Sequence, residues 1–407
     1  MNEREAAIER IFSRGTIVEV LPDMALFKER ILSGERLRFY IGFDATAPTL
    51  HLSHAKNLML LEDFRKLGHE AIILFGDFTA RIGDPTGKGT ARRQLSRENV
   101  LDNIEAWKRQ IASIVDFNDA ENPVQVRFNH DWLSNLSFEE VISLASNFTV
   151  QQMLTRDMFE KRMKSGEPIY LHEFFYPLMQ GYDSVELDVD VELCGTDQIF
   201  NALSGRTLLK RLKGKEKYVV AVTLMEDPAT GELMSKSRGT GVFLDSSPDD
   251  LFGQVMSQSD SMISPLFSHC TRIPMEKIAT LESGMEDGSM NPRDVKLGLA
   301  REIVRIFHGK EGAASAEKNF ITTVSRGEVP KEVPKSRPEY EMRETLETFI
   351  ARTGLAKSKT DARRKIEQGG VSIDKEKLTN PMLLLDISVH GGKVLKVGKR
   401  GFVKILR

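Results

Sequence analysis

Arg38-Phe39-Tyr40-Ile41-Gly42-Phe43-Asp44, followed by Pro48-Thr49-Leu50-His51-Leu52-Ser53-His54, is the stretch that decides the fold. Residues 38–43 form a short apolar run, the pattern of a buried strand. Pro48 and Thr49 punctuate the chain, and Leu52, Ala55, Leu58, Leu61, Phe64 and Leu67 then recur at helical spacing until Gly68 ends the helix. A second run, Ala71-Ile72-Ile73-Leu74-Phe75, is β-branched, continuous and short enough for a parallel strand. Strand, loop, helix and strand make a βαβ unit, whose ligands normally sit at the carboxyl ends of the strands.

Outward from this unit, Tyr218–Val222 is a third strand candidate, so the span between about 95 and 200 is expected to hold helices and an insertion. From about 243 to 325 the pattern is helical, as in residues 293–304. Pro330, Pro334 and Pro338 then sit in a charged stretch that reads as a linker. The 407 residues suit two to three domains at roughly 150 residues each. The formal charge is only −2, which argues against a chain that coats nucleic acid along its whole length. That sum hides an imbalance: residues 341–407 carry 15 Lys+Arg against 8 Asp+Glu, leaving the rest of the chain net acidic.

Cys194 and Cys270 are the only cysteines, which excludes a disulfide scaffold and a CxxC zinc site. A reducing cytosol is the expected setting, and a cytoplasmic protein the expectation. The charged N-terminus lacks the apolar core of a signal peptide, and no uninterrupted apolar run is long enough for a membrane span.

Two segments could carry chemistry. His51 and His54 lie one helical turn apart at a helix start, where free N–H groups and the helix dipole favour an anion. Capping or core histidines, or a metal pair, are the other readings of the same spacing. Leu233-Met234-Ser235-Lys236-Ser237-Arg238-Gly239 is either a solvated surface turn or a mobile loop whose cations meet phosphate oxygens.

Taken together, His-x-x-His after the first strand and Met-Ser-Lys-Ser more than 180 residues later resemble the paired signatures of class I aminoacyl-tRNA synthetases. Residues 40–46 (YIGFDAT), 82–88 (IGDPTGK), 176–183 (YPLMQGYD) and 195–198 (GTDQ) occur in the order found in bacterial-type tyrosyl-tRNA synthetases, and the resemblance covers essentially the whole chain. It implies an α/β fold: a Rossmann-like parallel-sheet catalytic domain over 1–240 with a helical dimerisation insertion at about 95–175, an α-helical anticodon-binding domain over 241–328, a linker over 329–340, and an S4-like α+β RNA-binding domain over 341–407. It also implies tyrosine activation by ATP, with magnesium carried by the nucleotide and no fixed protein metal site. Transfer of the tyrosyl group to the 3′ end of a tyrosine tRNA would follow, by a homodimer without membrane association.

The same resemblance assigns roles. Tyr40 and Asp183 would face the substrate phenol, and Asp84, Tyr176 and Gln180 its ammonium, with Asp44, Thr79 and Gln198 completing the amino-acid side. Thr46, His51, His54, Lys88, Arg92 and Lys236 would be the catalytic set, meeting phosphate and ribose. Gly42, Asp44, Thr46, His51, Ser53, His54, Asp197, Gln198, Met234, Ser235 and Lys236 would line the ATP site. Three positions depart from the family pattern: Ser53 and Cys194 stand where glycine is usual, and Leu233 replaces a lysine, with Arg238 a candidate to compensate. In the tail, Lys357, Lys359, Arg363, Arg364 and Lys365 would form one cationic ridge toward RNA while Ala362, Ile366 and Val371 pack inward. A tryptophanyl-tRNA synthetase, or an RNA-binding protein with a degenerate synthetase site, is the alternative reading.

Overall fold

The computed structural model describes residues 3–84, 95–234, 240–322, 333–339, 344–374, 376–398 and 401–406. Two compact units divide the chain, Met1–Lys310 and Glu311–Arg407.

The first unit is built on a six-stranded sheet of β1 (Ile17–Leu21), β2 (Arg38–Phe43), β3 (Glu70–Phe75), β4 (Gln125–Phe128), β5 (Val191–Gly195) and β6 (Tyr218–Val222). The order is β1-β6-β5-β2-β3-β4, parallel throughout except that β1 runs antiparallel to β6. The expected parallel sheet is therefore present in β6-β5-β2-β3-β4, with one antiparallel strand added at its edge. Strands β4 and β5 also fall inside the span expected to hold helices and an insertion. Their sequences explain the omission, since QVRF is short and only partly buried, and Glu192 interrupts the apolar run of VELCG.

Because side chains alternate along a strand, β2 serves two layers. Phe39 turns to the helix Leu52–Lys66, stacking on Phe64 at 4.5 Å between ring centroids. Phe27, from the helix Met24–Leu32, meets Phe12, Phe39 and Phe64 edge-on at 6.2–6.3 Å. On the opposite face Tyr40 packs with Ile72, Leu74, Leu187 and Val189. The helices Phe175–Glu186 and Ile199–Lys213 meet closely through glycines: a Cβ on Gly181 would lie 3.1 Å from the Gly205 nitrogen. After β6 the unit becomes helical, with Pro248–Met256, Ile263–Cys270 and Met275–Glu286 preceding a helical stretch, Pro292–Phe320, that is broken at Gly309 (φ 75°, ψ 178°).

The second unit carries a five-stranded sheet ordered β7-β11-β10-β8-β9, from β7 (Lys335–Ser336), β8 (Val371–Ile373), β9 (Glu376–Lys377), β10 (Val394–Val397) and β11 (Gly401–Ile405). The Pro-rich stretch read as a linker therefore contributes a strand, held by β11 in parallel register. Leu346, Phe349, Ala362, Ile366 and Val371 share the core, as the inward packing of the last three anticipated.

Phe27 is fully buried at the meeting point of four aromatic rings, those of Phe12, Phe39, Phe64 and Tyr218. Phe27→Ala is expected to destabilise the first unit by about 3–5 kcal/mol, because the cavity left among rigid neighbours cannot collapse; urea unfolding of the purified variant measures it.

Candidate active site

The reversal of strand order around β2 brings the ends of β2, β3 and β5 to one crevice. The loop leaving β2 is fixed from the helix Arg97–Ile111: Asn103 Nδ2 donates to the Ala45 carbonyl at 2.8 Å, Trp107 Nε1 to Ala47 at 2.7 Å and Gln110 Nε2 to Pro48 at 2.8 Å. Asp44, first in that loop, accepts from Thr79 Oγ1 at 2.6 Å and from the Tyr176 hydroxyl at 2.9 Å. The Asp44–Thr79 contact passes directly over Gly76, where a Cβ would lie 2.0 Å from Asp44 Oδ1 and 2.2 Å from Thr79 Oγ1. Only glycine leaves room for it.

Asn129 continues the chain of polar groups, donating to Thr79 Oγ1 at 3.0 Å and to Asp183 Oδ2 at 3.3 Å, while Trp132 Nε1 donates to Asp183 Oδ1 at 2.8 Å. Burial pushes the Asp183 carboxyl well above the usual carboxylate range, and these two donors offset only part of that push. Tyr40 and Tyr176 remain phenols well past their ordinary value, chiefly through burial and then through nearby carboxylates. The Tyr40 hydroxyl bonds Ser184 Oγ at 3.0 Å, so its partner here is the neighbour of Asp183. Gln180 Nε2 donates to Glu192 Oε1 at 3.0 Å.

On the β5 side, Gln198 Nε2 reaches Asp84 Oδ2 at 2.7 Å and Asp197 Oδ2 at 3.3 Å, and Asn201 Nδ2 donates to Gln198 Oε1 at 2.8 Å. Gly195 is bare because a Cβ would lie 2.4 Å from Asp197 Oδ1. Gly42, Thr46 and Asp197 are exposed along the crevice. Cys194 is buried, packed with Ala202 and Val219, so its thiol fills core rather than site.

His51 precedes the helix Leu52–Lys66, and its backbone N–H donates to His54 Nδ1 at 3.3 Å, which leaves the His54 proton on Nε2. The rings lie 4.1 Å apart. Burial lowers His51 to about 4; burial and the neighbouring His51 lower His54 to about 3. Both are neutral donors at neutral pH, able to hydrogen-bond a phosphate oxygen or ribose without a full charge. Ser53 is half-buried between them. Met234 is buried, its N–H bonded to the Met225 carbonyl at 2.8 Å, whereas Leu233 is exposed. Lys88, Arg92, Ser235, Lys236 and Arg238 lie outside the described residues.

Of the five tail cations, four are exposed and Lys365 is half-buried, and three are ion-paired. Lys357 and Lys359 are exposed at the start of the helix Lys359–Glu367. Arg363 is paired through two hydrogen bonds with Glu347 at 2.8 and 3.0 Å, and Arg364 and Lys365 both reach Asp361, at 2.7 and 3.1 Å. Helical spacing explains it, since Asp361 sits three and four residues before its partners.

Asn129, Trp132, Gly76, Ser184, Glu192 and Lys217 escaped sequence reading. A lone Asn, Trp or Gly carries no spacing signal; the one available hint was Glu192 inside a strand, a charge where burial demands a partner.

Residues 32–325 match the family model for tRNA synthetases class I (W and Y), and residues 344–387 that of the S4 domain. The chain belongs to the class I tRNA synthetases of the W and Y group. Within it, similar chains include tyrosine–tRNA ligases: that of Carboxydothermus hydrogenoformans is 42% identical over 405 residues, covering 97% of each chain, and that of Haemophilus influenzae 43% identical over 392 residues, covering 96% of this chain and 95% of its own. The C-terminally truncated mitochondrial tyrosyl-tRNA synthetases of Aspergillus nidulans and Coccidioides posadasii are similar in structure, with TM-scores of 0.64 and 0.62 at 25% and 27% identity, each spanning 77% of this chain and 92% and 91% of its own.

His69 and His269 are also lowered to about 4 by burial. The unfolded chain takes up protons at these four imidazoles near pH 6.5, and the folded chain only near pH 4 or below, so stability present above about pH 6.5 is lost as the pH falls. Urea midpoints are expected to be lower at about pH 5 than at about pH 7, with the drop reduced in His54→Asn; a flat profile would contradict the burial assigned to them.

Proposed function

We propose that this chain activates L-tyrosine with ATP, releasing pyrophosphate, and then transfers the tyrosyl group to the 3′ end of a tyrosine tRNA. The observation that carries this reading is the unbroken polar chain Tyr176–Asp44–Thr79–Asn129–Asp183 at the strand ends, built in a crevice whose other wall is Tyr40.

A tyrosine carboxylate is already an anion, so attack on the α-phosphate needs no general base. Rate then comes from holding the two reactants together and stabilising charge on the leaving pyrophosphate. Asp84, Tyr176 and Gln180 hold the ammonium through a carboxylate, a phenolic oxygen and an amide oxygen, all suited to a cation. Asp183 and Tyr40 take the ring hydroxyl, which an amino acid lacking it would leave unpaired at a cost. Gln198 stands by the tyrosine carboxylate and Asp197 by the ribose. Thr46, His51, Lys88, Arg92 and Lys236 meet phosphate oxygens, and His54 the ribose. Magnesium arrives with ATP as the electrostatic partner of its phosphates rather than in a protein cage. The helical region and the S4 unit bind the tRNA, with Lys357, Lys359, Arg363 and Arg364 all exposed on the tail. No helix among the described residues is long and apolar enough to cross a membrane, and a cytoplasmic setting suits the two buried thiols.

Amino-acid-dependent exchange of pyrophosphate into ATP, run with each of the twenty amino acids, tests the reading. Tyrosine alone is expected to support it, and Asp183→Asn to reduce tyrosine turnover by at least ~10-fold. Exchange driven by tryptophan, or RNA binding without any exchange, would overturn it.

We also propose a homodimer through the 130–175 surface, where Phe138 is 80% and Leu171 72% exposed, with Ile142, Val150, Met163 and Tyr170 also uncovered. Native mass measurement is expected to give twice the chain mass, and Phe138→Asp with Leu171→Asp to give a monomer. A wild-type monomer would remove the proposal.

A further inference from the structure

Lys217, immediately before β6, is fully buried, and its ammonium is paired with the equally buried Glu192 of β5. Space for it is cut from the helix Ile199–Lys213: a Cβ on Gly205 would lie 2.6 Å from both Lys217 Nζ and Ser184 Oγ. Such a pair is a poor way to gain stability, because taking two charges out of water costs about as much as their attraction returns, and an apolar pair of similar volume would hold the fold at least as well. What it does supply is direction.

An ammonium has only donors and a carboxylate only acceptors. Ser184 Oγ lies between them, accepting from Lys217 Nζ at 2.8 Å and standing 3.4 Å from Glu192 Oε2, to which its own hydrogen turns. The lone pair that remains on Ser184 takes the hydrogen of Tyr40, 3.0 Å away. Tyr40 and Glu192 are paired neighbours across β2 and β5, so the relay is fixed by strand register as well as by side chains. The other oxygen of Glu192 holds Gln180 Nε2 at 3.0 Å, tying the ammonium end of the crevice to the same carboxylate.

We propose that Lys217, acting through Glu192 and Ser184, sets the direction of the Tyr40 hydroxyl and thereby makes the ring pocket accept only a hydrogen-bond donor. Lys217 is a positioning residue that determines specificity, and the inference rests on the tyrosine reading given above. With its hydrogen committed to Ser184, Tyr40 offers the pocket lone pairs alone. A substrate hydroxyl satisfies them; a phenylalanine ring leaves them buried and unpaired.

Pyrophosphate exchange with tyrosine and phenylalanine, across wild type, Lys217→Met, the double variant Glu192→Gln/Lys217→Met, and Ser184→Ala, tests this. In the double variant and in Ser184→Ala, KM for tyrosine is expected to rise by ~10-fold, KM for ATP to stay within ~2-fold, and the tyrosine-over-phenylalanine ratio of kcat/KM to fall by ~10-fold or more. The double variant is further expected to melt near wild type, since it leaves no unpaired buried charge, so the outcome does not depend on Lys217→Met folding. Unchanged tyrosine KM and ratio in both variants, with only the melting temperature moved, would make Lys217 structural and overturn the inference. A wild-type protein without tyrosine-dependent exchange would instead remove the substrate reading, and the inference with it.

Discussion

The register of β2 between β3 and β5 is the constraint on which the rest of the structure depends. Tyr40 is opposite Ile72 on one side and Glu192 on the other. Because side chains alternate, that register sends Phe39 into the aromatic layer and Tyr40 into the polar crevice at once. A slip of one residue would exchange them, placing a phenol among phenylalanines and a phenylalanine beside Glu192. The same pairing aligns β2 with its two neighbours, so that Asp44 is set directly against Gly76 at the end of β3 and the Gly195–Gln198 turn closes the end of β5.

The two faces of the sheet have different energetic tasks. Phe12, Phe27, Phe39 and Phe64 make an apolar layer with edge-on and stacked contacts, a dependable source of stability. The opposite face holds Asp183, Glu192, Lys217 and Tyr176, each withdrawn from water and each kept by specific donors or acceptors. Polar groups so placed are costly when any one loses its partner. A chain carrying such a face requires the other to be well packed, and here one strand belongs to both.

Much of this was legible in the residues. The helix from Leu52 to Gly68 and the strands at 38–43 and 71–75 follow from periodicity, because burial on a helix or a sheet leaves a regular imprint. Tyr40, Asp44, Tyr176 and Asp183 were legible only through a family resemblance, since single carboxylates and phenols have no pattern of their own; the structure draws Asp44 and Tyr176 into direct contact, while Tyr40 meets Ser184 and Asp183 meets Trp132 and Asn129. β1, β4 and β5 were hidden, being short, partly exposed or interrupted by charge. Asn129 and Trp132 were hidden for another reason, that their partners lie some 50 residues away in sequence. The tail shows the converse: the burial of Ala362 and Ile366 could be read, but a count of its basic residues did not reveal that Glu347 and Asp361 had already taken three of them.

Gly76 ties three positions into one heritable unit. No side chain can replace its hydrogen while Asp44 and Thr79 keep their contact, so neither the carboxylate nor the hydroxyl can be exchanged for a larger group, nor the glycine for anything, without the other two changing in step. Such a triad resists stepwise drift, since every single-residue path out of it passes through a broken intermediate. A loop moved to another scaffold would carry its geometry only if all three travelled together.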